Sequence, residues 1–176
     1  MKLFALDPNS FLHAIATGMC VALLFGSIEG FAWGQEAGKT KFGAWELRCE
    51  TPVGGSSEQC VLTQMVRAED TANVNLGVMI LKPREVKGGV LRILAPMNVF
   101  LPNGVSLKID QTDIGRVGFV RCAPSDCIAD APIEDKLLDQ LETGKIATLV
   151  VYMTPYEGVR NLFSLEGFKQ GYERLR

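Results

Sequence analysis

A chain of 176 residues with a formal net charge of −2 suits one domain plus a processing segment. With 18 Lys and Arg against 20 Asp and Glu, it offers neither the basic surface that nucleic-acid phosphates demand nor a cationic run suited to anionic lipid. The single histidine, His13, lies near the N-terminus. A chain that sheds this end has no histidine, which excludes Ser–His–Asp and Cys–His catalysis, histidine acid–base chemistry and His-ligated zinc.

Residues 1–34 read as a signal peptide. Phe11–Phe25 carries no charge apart from a protonatable His13, and its length fits the apolar core of a secretory signal better than a membrane span of about 20 residues. Small residues follow at cleavage spacing, Gly30 with Ala32 or Ala32 with Gly34, so the mature start falls near Trp33 or Gln35. Lys2 is the only strong positive charge before the run, with Asp7 opposing it, which keeps an uncleaved anchor as the alternative. Cys20 follows Met19 rather than a small residue and reads as a hydrophobe of the signal, not a lipid attachment site. Without residues 1–34 the net charge is about −1.

Residues 35–41 are polar and read as a flexible lead-in to a single β-rich domain over 42–176. From there the apolar pattern has period two. Trp45, Leu47 and Cys49 share one face, as do Val74, Leu76, Val78 and Ile80, and again Val105, Leu107 and Ile109. Residues 60–66, 90–95, 116–122 and 146–153 are further β-branched runs of strand length, separated by Gly, Pro, Asn and Asp. Short strands closely spaced predict a mostly β fold, an antiparallel β-sandwich or barrel-like domain. One segment breaks the pattern: Ile133, Leu137, Leu138 and Leu141 have helical spacing, with Glu134 and Asp135 in the first turn and Gly144 placed as a left-handed C-cap. This predicts one short helix packed on the sheet. Phe168, Tyr172 and Leu175 predict a second, C-terminal helix, against which Gly167 and Gly171 weigh.

The four cysteines beyond Cys20 form two local pairs, Cys49 with Cys60 and Cys122 with Cys127, each closing one strand and opening the next. Opposed hairpin residues lie within disulfide reach. In an exported chain this predicts two disulfides, with a four-cysteine zinc site or redox-active thiols as the rivals. Catalysis would fall to scattered carboxylates: Asp110, Asp113, Asp126, Glu134 and Asp135. The first two read better as a turn. Gly88-Gly89 and Gly115-x-x-Gly118 lack the strand–loop–helix setting of a phosphate loop.

Two stretches are candidate binding surfaces. Residues 96–104 carry Phe100 and Leu101 between turn residues, and residues 154–160 carry Tyr156 and Arg160, types enriched in interface hot spots. The structural alternative puts the first loop's apolar residues in the core and makes the second a solvated hairpin turn.

Taken in order, Phe42-Gly43-x-Trp45-x-x-x-Cys49, Cys60-x-x-x-Gln64, Leu101-Pro102-x-Gly104, the Cys122/Cys127 hairpin, the Asp135–Leu141 helix with Gly144, and Ser164-Leu165-x-Gly167-Phe168 resemble the invasion-associated locus B family of exported bacterial proteins. The resemblance runs from about 42 to 168. It implies a periplasmic or secreted envelope location and a contribution to host-cell invasion or colonisation. It supplies no catalytic residues. The expected function is thus binding to an envelope or host-surface macromolecule, with no cofactor, metal, nucleic acid or transmembrane span in the mature chain. The alternatives are a carboxylate-dependent hydrolase of envelope polymers and a periplasmic structural or stress module without a host partner.

Overall fold

A computed structural model describes residues 38–68 and 74–175. The segment expected as a signal peptide, its expected cleavage site and residues 35–37 of the expected lead-in lie outside the described residues. The strands are β1 (Lys39–Phe42), β2 (Trp45–Glu50), β3 (Gln59–Arg67), β4 (Asn75–Leu81), β5 (Val90–Pro96), β6 (Val105–Ile109), β7 (Thr112–Val117), β8 (Phe119–Cys122), β9 (Asp126–Pro132), β10 (Ile146–Tyr152) and β11 (Gly158–Ser164). The helices are α1 (Asp135–Thr143) and α2 (Phe168–Arg174), and a 3-10 turn covers Leu101–Asn103. β1 starts inside the segment expected as a lead-in, because Lys39 to Phe42 pair in antiparallel register with Arg48 to Trp45.

The strands form two antiparallel sheets rather than a closed barrel. The larger has the order β1-β2-β3-β4-β5-β9-β8, the smaller β11-β10-β6-β7. Period-two alternation explains their shared core. Trp45, Leu62, Leu76, Val78, Ile80, Leu91 and Ile93 from the first meet Val105, Leu107, Leu149, Val151 and Phe163 from the second in one buried cluster. At one margin an isolated bridge from Ala68 to Asn161 ties the end of β3 to β11.

Residues 116–122, read as one run, are two strands in different sheets. Val117 pairs with Val105 of β6, whereas Phe119 pairs with Ala129 of β9, so the chain changes sheet at Gly118. Period two cannot reveal such a crossing, because the alternation continues through it. β11 escaped notice for another reason. Its inward positions are Val159, Asn161 and Phe163, and the buried Asn161 interrupts an otherwise apolar file. The Asn161 amide donates to the Val159 carbonyl at 3.2 Å.

Helix α1 matches the expected segment, but Gly144 does not cap it in a left-handed conformation. Its φ and ψ are −68° and 166°, extended backbone. Glycine serves there by its size, since a Cβ would come within 2.6 Å of Ile109 Cγ2 and 2.7 Å of the Gln140 carbonyl. Helix α2 forms despite its glycines. Gly167 stands before it at φ 84°. Gly171 sits on its buried face, where a Cβ would meet Leu62 Cδ1 at 2.6 Å. The helix approaches β3 as closely as it does because that side chain is missing.

Candidate functional site

Both cysteine pairs are disulfides joining residues directly opposed across a hairpin, with Cα separations of 4.0 Å for Cys49–Cys60 and 3.9 Å for Cys122–Cys127. Glu58 lies near the first pair, but the bonded sulfurs leave no thiolates for a metal. Beside this disulfide, the outer face of β3 and β4 floors a groove of about 740 Å³ with Val61, Met79 and Leu81, rimmed by charges of both signs including Arg48, Glu50, Arg84 and Glu85.

The family-like motif residues mostly lock backbone to backbone. The Trp45 Nε1–H and the Gln64 side-chain amide both donate to the Ser164 carbonyl at 3.1 Å, and Gln64 also donates to the Ala44 carbonyl. The Ala44 N–H donates to the Glu166 carbonyl at 3.2 Å. A Cβ on Gly167 would lie 2.0 Å from the Phe42 carbonyl oxygen. Trp45 packs edge-on against Phe163 and Phe168. These residues clasp the start of the domain to its end.

Among the carboxylates, Asp110 accepts the Ile146 N–H at 3.0 Å and the Lys145 N–H at 3.2 Å. It thereby holds the start of β10 from a φ of 50°. Asp113 accepts the Gly115 N–H, as the turn reading expected. Asp126 accepts the Ser125 hydroxyl, and Asp130 takes a bidentate pair of bonds from Arg92 at 2.8 Å each. That side-chain hydrogen bond raises the Arg92 guanidinium above its usual value.

The two candidate binding stretches come together in space. The Phe100 N–H donates to the Tyr152 carbonyl at 2.6 Å, and the Asn103 side-chain amide donates to the Pro155 carbonyl at 3.0 Å. The loop after β5 is thereby fastened to the turn between β10 and β11. Within the loop, Val99 is the core anchor at 7% exposure, Phe100 is half-buried, and Leu101 stands 45% exposed. Thr154 braces the turn by accepting the Tyr156 and Glu157 N–H groups, and Tyr156 is 96% exposed. Arg160 is not in the turn. It lies on β11, opposite Val150, with its side chain exposed on the outer sheet face.

Sequence reasoning missed the neighbours that complete this surface. Gly158 leaves room for the Tyr152 ring, because a Cβ there would come within 3.2 Å of Tyr152 Cε1. The Arg116 guanidinium lies 5.4 Å from that ring's centroid, donates to the Tyr152 hydroxyl at 3.4 Å and to the Ser106 hydroxyl at 3.1 Å. Only the β6–β7 and β6–β10 registers, which set Arg116 opposite Ser106 and Ser106 opposite Val150, bring Arg116 near Tyr152, so no local signal could have found it.

Over residues 45–176 the sequence matches the family described as Invasion associated locus B (IalB) protein. The chain belongs to the IalB family. Two invasion protein B homologues of Brucella abortus, from strain 2308 and from biovar 1 strain 9-941, are each 27% identical over 135 residues, covering 75% of this chain and 75% of theirs. The crystal structure of invasion associated protein B from Bartonella henselae superposes with a TM-score of 0.61 at 21% identity, covering 77% of this chain and 92% of that one. At that identity the likeness speaks for a shared IalB fold. The clasp around Trp45, Gln64 and Gly167 carries the first and last of the family-like motifs as architecture, while the Leu101-Pro102-x-Gly104 motif supplies one side of the Leu101–Tyr156 surface.

Proposed function

We propose that this IalB-family chain is an exported binding protein of the bacterial envelope or its exterior, acting without catalysis and contributing to host-cell entry or colonisation. The observation that carries the reading is the fastening of two turns into one surface. The Asn103–Pro155 and Phe100–Tyr152 hydrogen bonds hold Leu101 and Tyr156 outward on ordered backbone. Side chains presented by a braced loop lose little entropy on docking, which favours affinity. The names of the Brucella and Bartonella relatives support the link to invasion. The two disulfides support passage through an oxidising compartment. Structural use of Asp110, Asp113 and Asp126, three of the five candidate carboxylates, supports binding over a carboxylate hydrolase.

A photo-crosslinker placed at Tyr156 and at Leu101, followed by pull-down from envelope fractions and host-cell surfaces, tests the reading. One macromolecule captured from both positions, and lost when Leu101 and Tyr156 are changed to Ala, is the expected result. Turnover of an envelope polymer without capture would replace the reading by the hydrolase.

A further inference from the structure

We infer that the groove beside the Cys49–Cys60 disulfide binds a short cationic peptide with apolar side chains, at a site separate from the Leu101–Tyr156 surface. The floor is apolar because of how the strands alternate. Cys60, Leu62, Val78 and Ile80 face the core, which turns Val61, Met79 and Leu81 outward and leaves them half-buried. Met79 contributes a flexible, polarisable thioether, which adapts to unlike apolar partners. The walls are two turns at the same end of the large sheet, residues 51–58 and 82–89. Both are braced from within. The Gly55 N–H donates to the Pro52 carbonyl at 2.8 Å and the Val86 N–H to the Pro83 carbonyl at 3.1 Å, while the disulfide closes the base of the first turn. The volume of about 740 Å³ falls in the ~300–1,000 Å³ range of ligand sites, and braced walls lower the ordering cost of binding.

Charge on the rim selects the sign of the partner. The lining carries Arg48, Lys82 and Arg84 with Glu50, Glu58 and Glu85, a formal balance. Two of the cations are already engaged. Arg48 pairs with Glu46, which is outside the lining, and Lys82 donates to the Tyr172 and Leu175 carbonyls at the end of α2. Among the described residues, Arg84 and the three glutamates enter no ion pair. Three unpaired carboxylates therefore stand against one unpaired guanidinium. Lys39 and Lys41 lie on β1, beyond β2 and outside the lining. An acidic rim disfavours anionic lipid and nucleic acid, and an apolar floor gives nothing to a purely polar cation. Complementarity calls for lysine or arginine beside apolar side chains. β5 starts near the groove at Val90 and runs away from it to Pro96, which puts about 20 Å between the groove and the loop that carries Leu101.

Isothermal titration of the full mature chain with a capped hexapeptide of alternating lysine and leucine tests the inference. That peptide should bind, while the glutamate–leucine and lysine–serine hexapeptides should not. Glu58→Gln/Glu85→Gln should weaken binding by about tenfold, the scale of two lost surface charge pairs, and flatten its salt dependence. Met79→Gln should weaken it at unchanged salt dependence, because the floor carries no charge. Asp139→Asn/Glu166→Gln removes as much charge elsewhere and should leave binding intact. All four replaced carboxylates belong to exposed residues, and thermal melts check that every variant is folded. Equal losses in the two charge-removal variants would reduce the effect to net charge and overturn the inference. So would equal binding of the glutamate–leucine peptide, or no binding of the lysine–leucine peptide. A dimer in sedimentation that Glu58→Gln/Glu85→Gln dissociates would also overturn it, by giving the groove to a second copy of the chain.

Discussion

Tyr172 shows how one side chain ties the last helix to the sheets. Its hydroxyl donates to the Gly88 carbonyl at 2.7 Å, its ring stacks on Phe168, and the Lys82 ammonium sits 3.8 Å from its centroid. Lys82 also donates to the Tyr172 carbonyl at the helix C-terminus, where the dipole favours a cation. Burial, then the Glu142 and Asp135 carboxylates, raises the Tyr172 phenol above its usual 10.0. Burial lowers Lys82 from 10.5, against the pull of Glu142 and Glu173. The folded state keeps the tyrosine proton longer than the unfolded chain, so this stability is present below pH 10.0 and is lost as pH rises through the folded value. For Lys82 the folded state loses its proton first, so stability rises with pH in the window below 10.5. Tyr172→Phe should cost about 1 kcal/mol at neutral pH through the lost hydrogen bond. In urea titrations it should also abolish the alkaline decline and leave only the rise. Phe100 belongs to the same scale. It is half-buried and is absent from the core cluster that Val99 joins. Phe100→Ala should therefore cost about 1–2 kcal/mol, below the ~3–5 of a fully buried Phe. A calorimetric loss at the higher value would return Phe100 to the core and leave Leu101 alone as the loop's contact.

The hairpins are stapled unequally because the loops they close differ. Cys49 and Cys60 are 11 residues apart and enclose the exposed 51–58 turn, whereas Cys122 and Cys127 are 5 apart. In the loop-closure account the first should contribute about 2–3 kcal/mol and the second about 2. Denaturation of Cys49→Ala/Cys60→Ala beside Cys122→Ala/Cys127→Ala checks that order, and non-reduced peptide mapping checks the pairing. The pairing was legible in the sequence because a disulfide across adjacent strands needs only local spacing. The same holds for α1, whose 3.6-residue period and acidic first turn are local signals. β7 and β8 were not separable, because Gly118 changes the sheet without changing the period. For α2, the glycines that lower helix propensity are required by Phe42 and Leu62, residues more than a hundred positions away.

At the scale of the molecule, the disulfides and the IalB family accord with an exported chain. Intact mass of the native protein should give an N-terminus between Trp33 and Glu36, recovered from a periplasmic or secreted fraction without detergent. A full-length mass in detergent extracts alone would favour the anchor. Composition, alternation and cysteine spacing were enough to determine a β-rich, twice-stapled domain and to place the single histidine, His13, before it. Those properties depend on residue counts and near neighbours. The tertiary structure decided everything that joins distant segments: the clasp from Trp45 and Gln64 to Ser164, the fastening of Asn103 to Pro155, and the approach of Arg116 to Tyr152. Sheet order and register set these contacts. A period-two pattern specifies which face a side chain occupies and carries no information about which strand lies beside it.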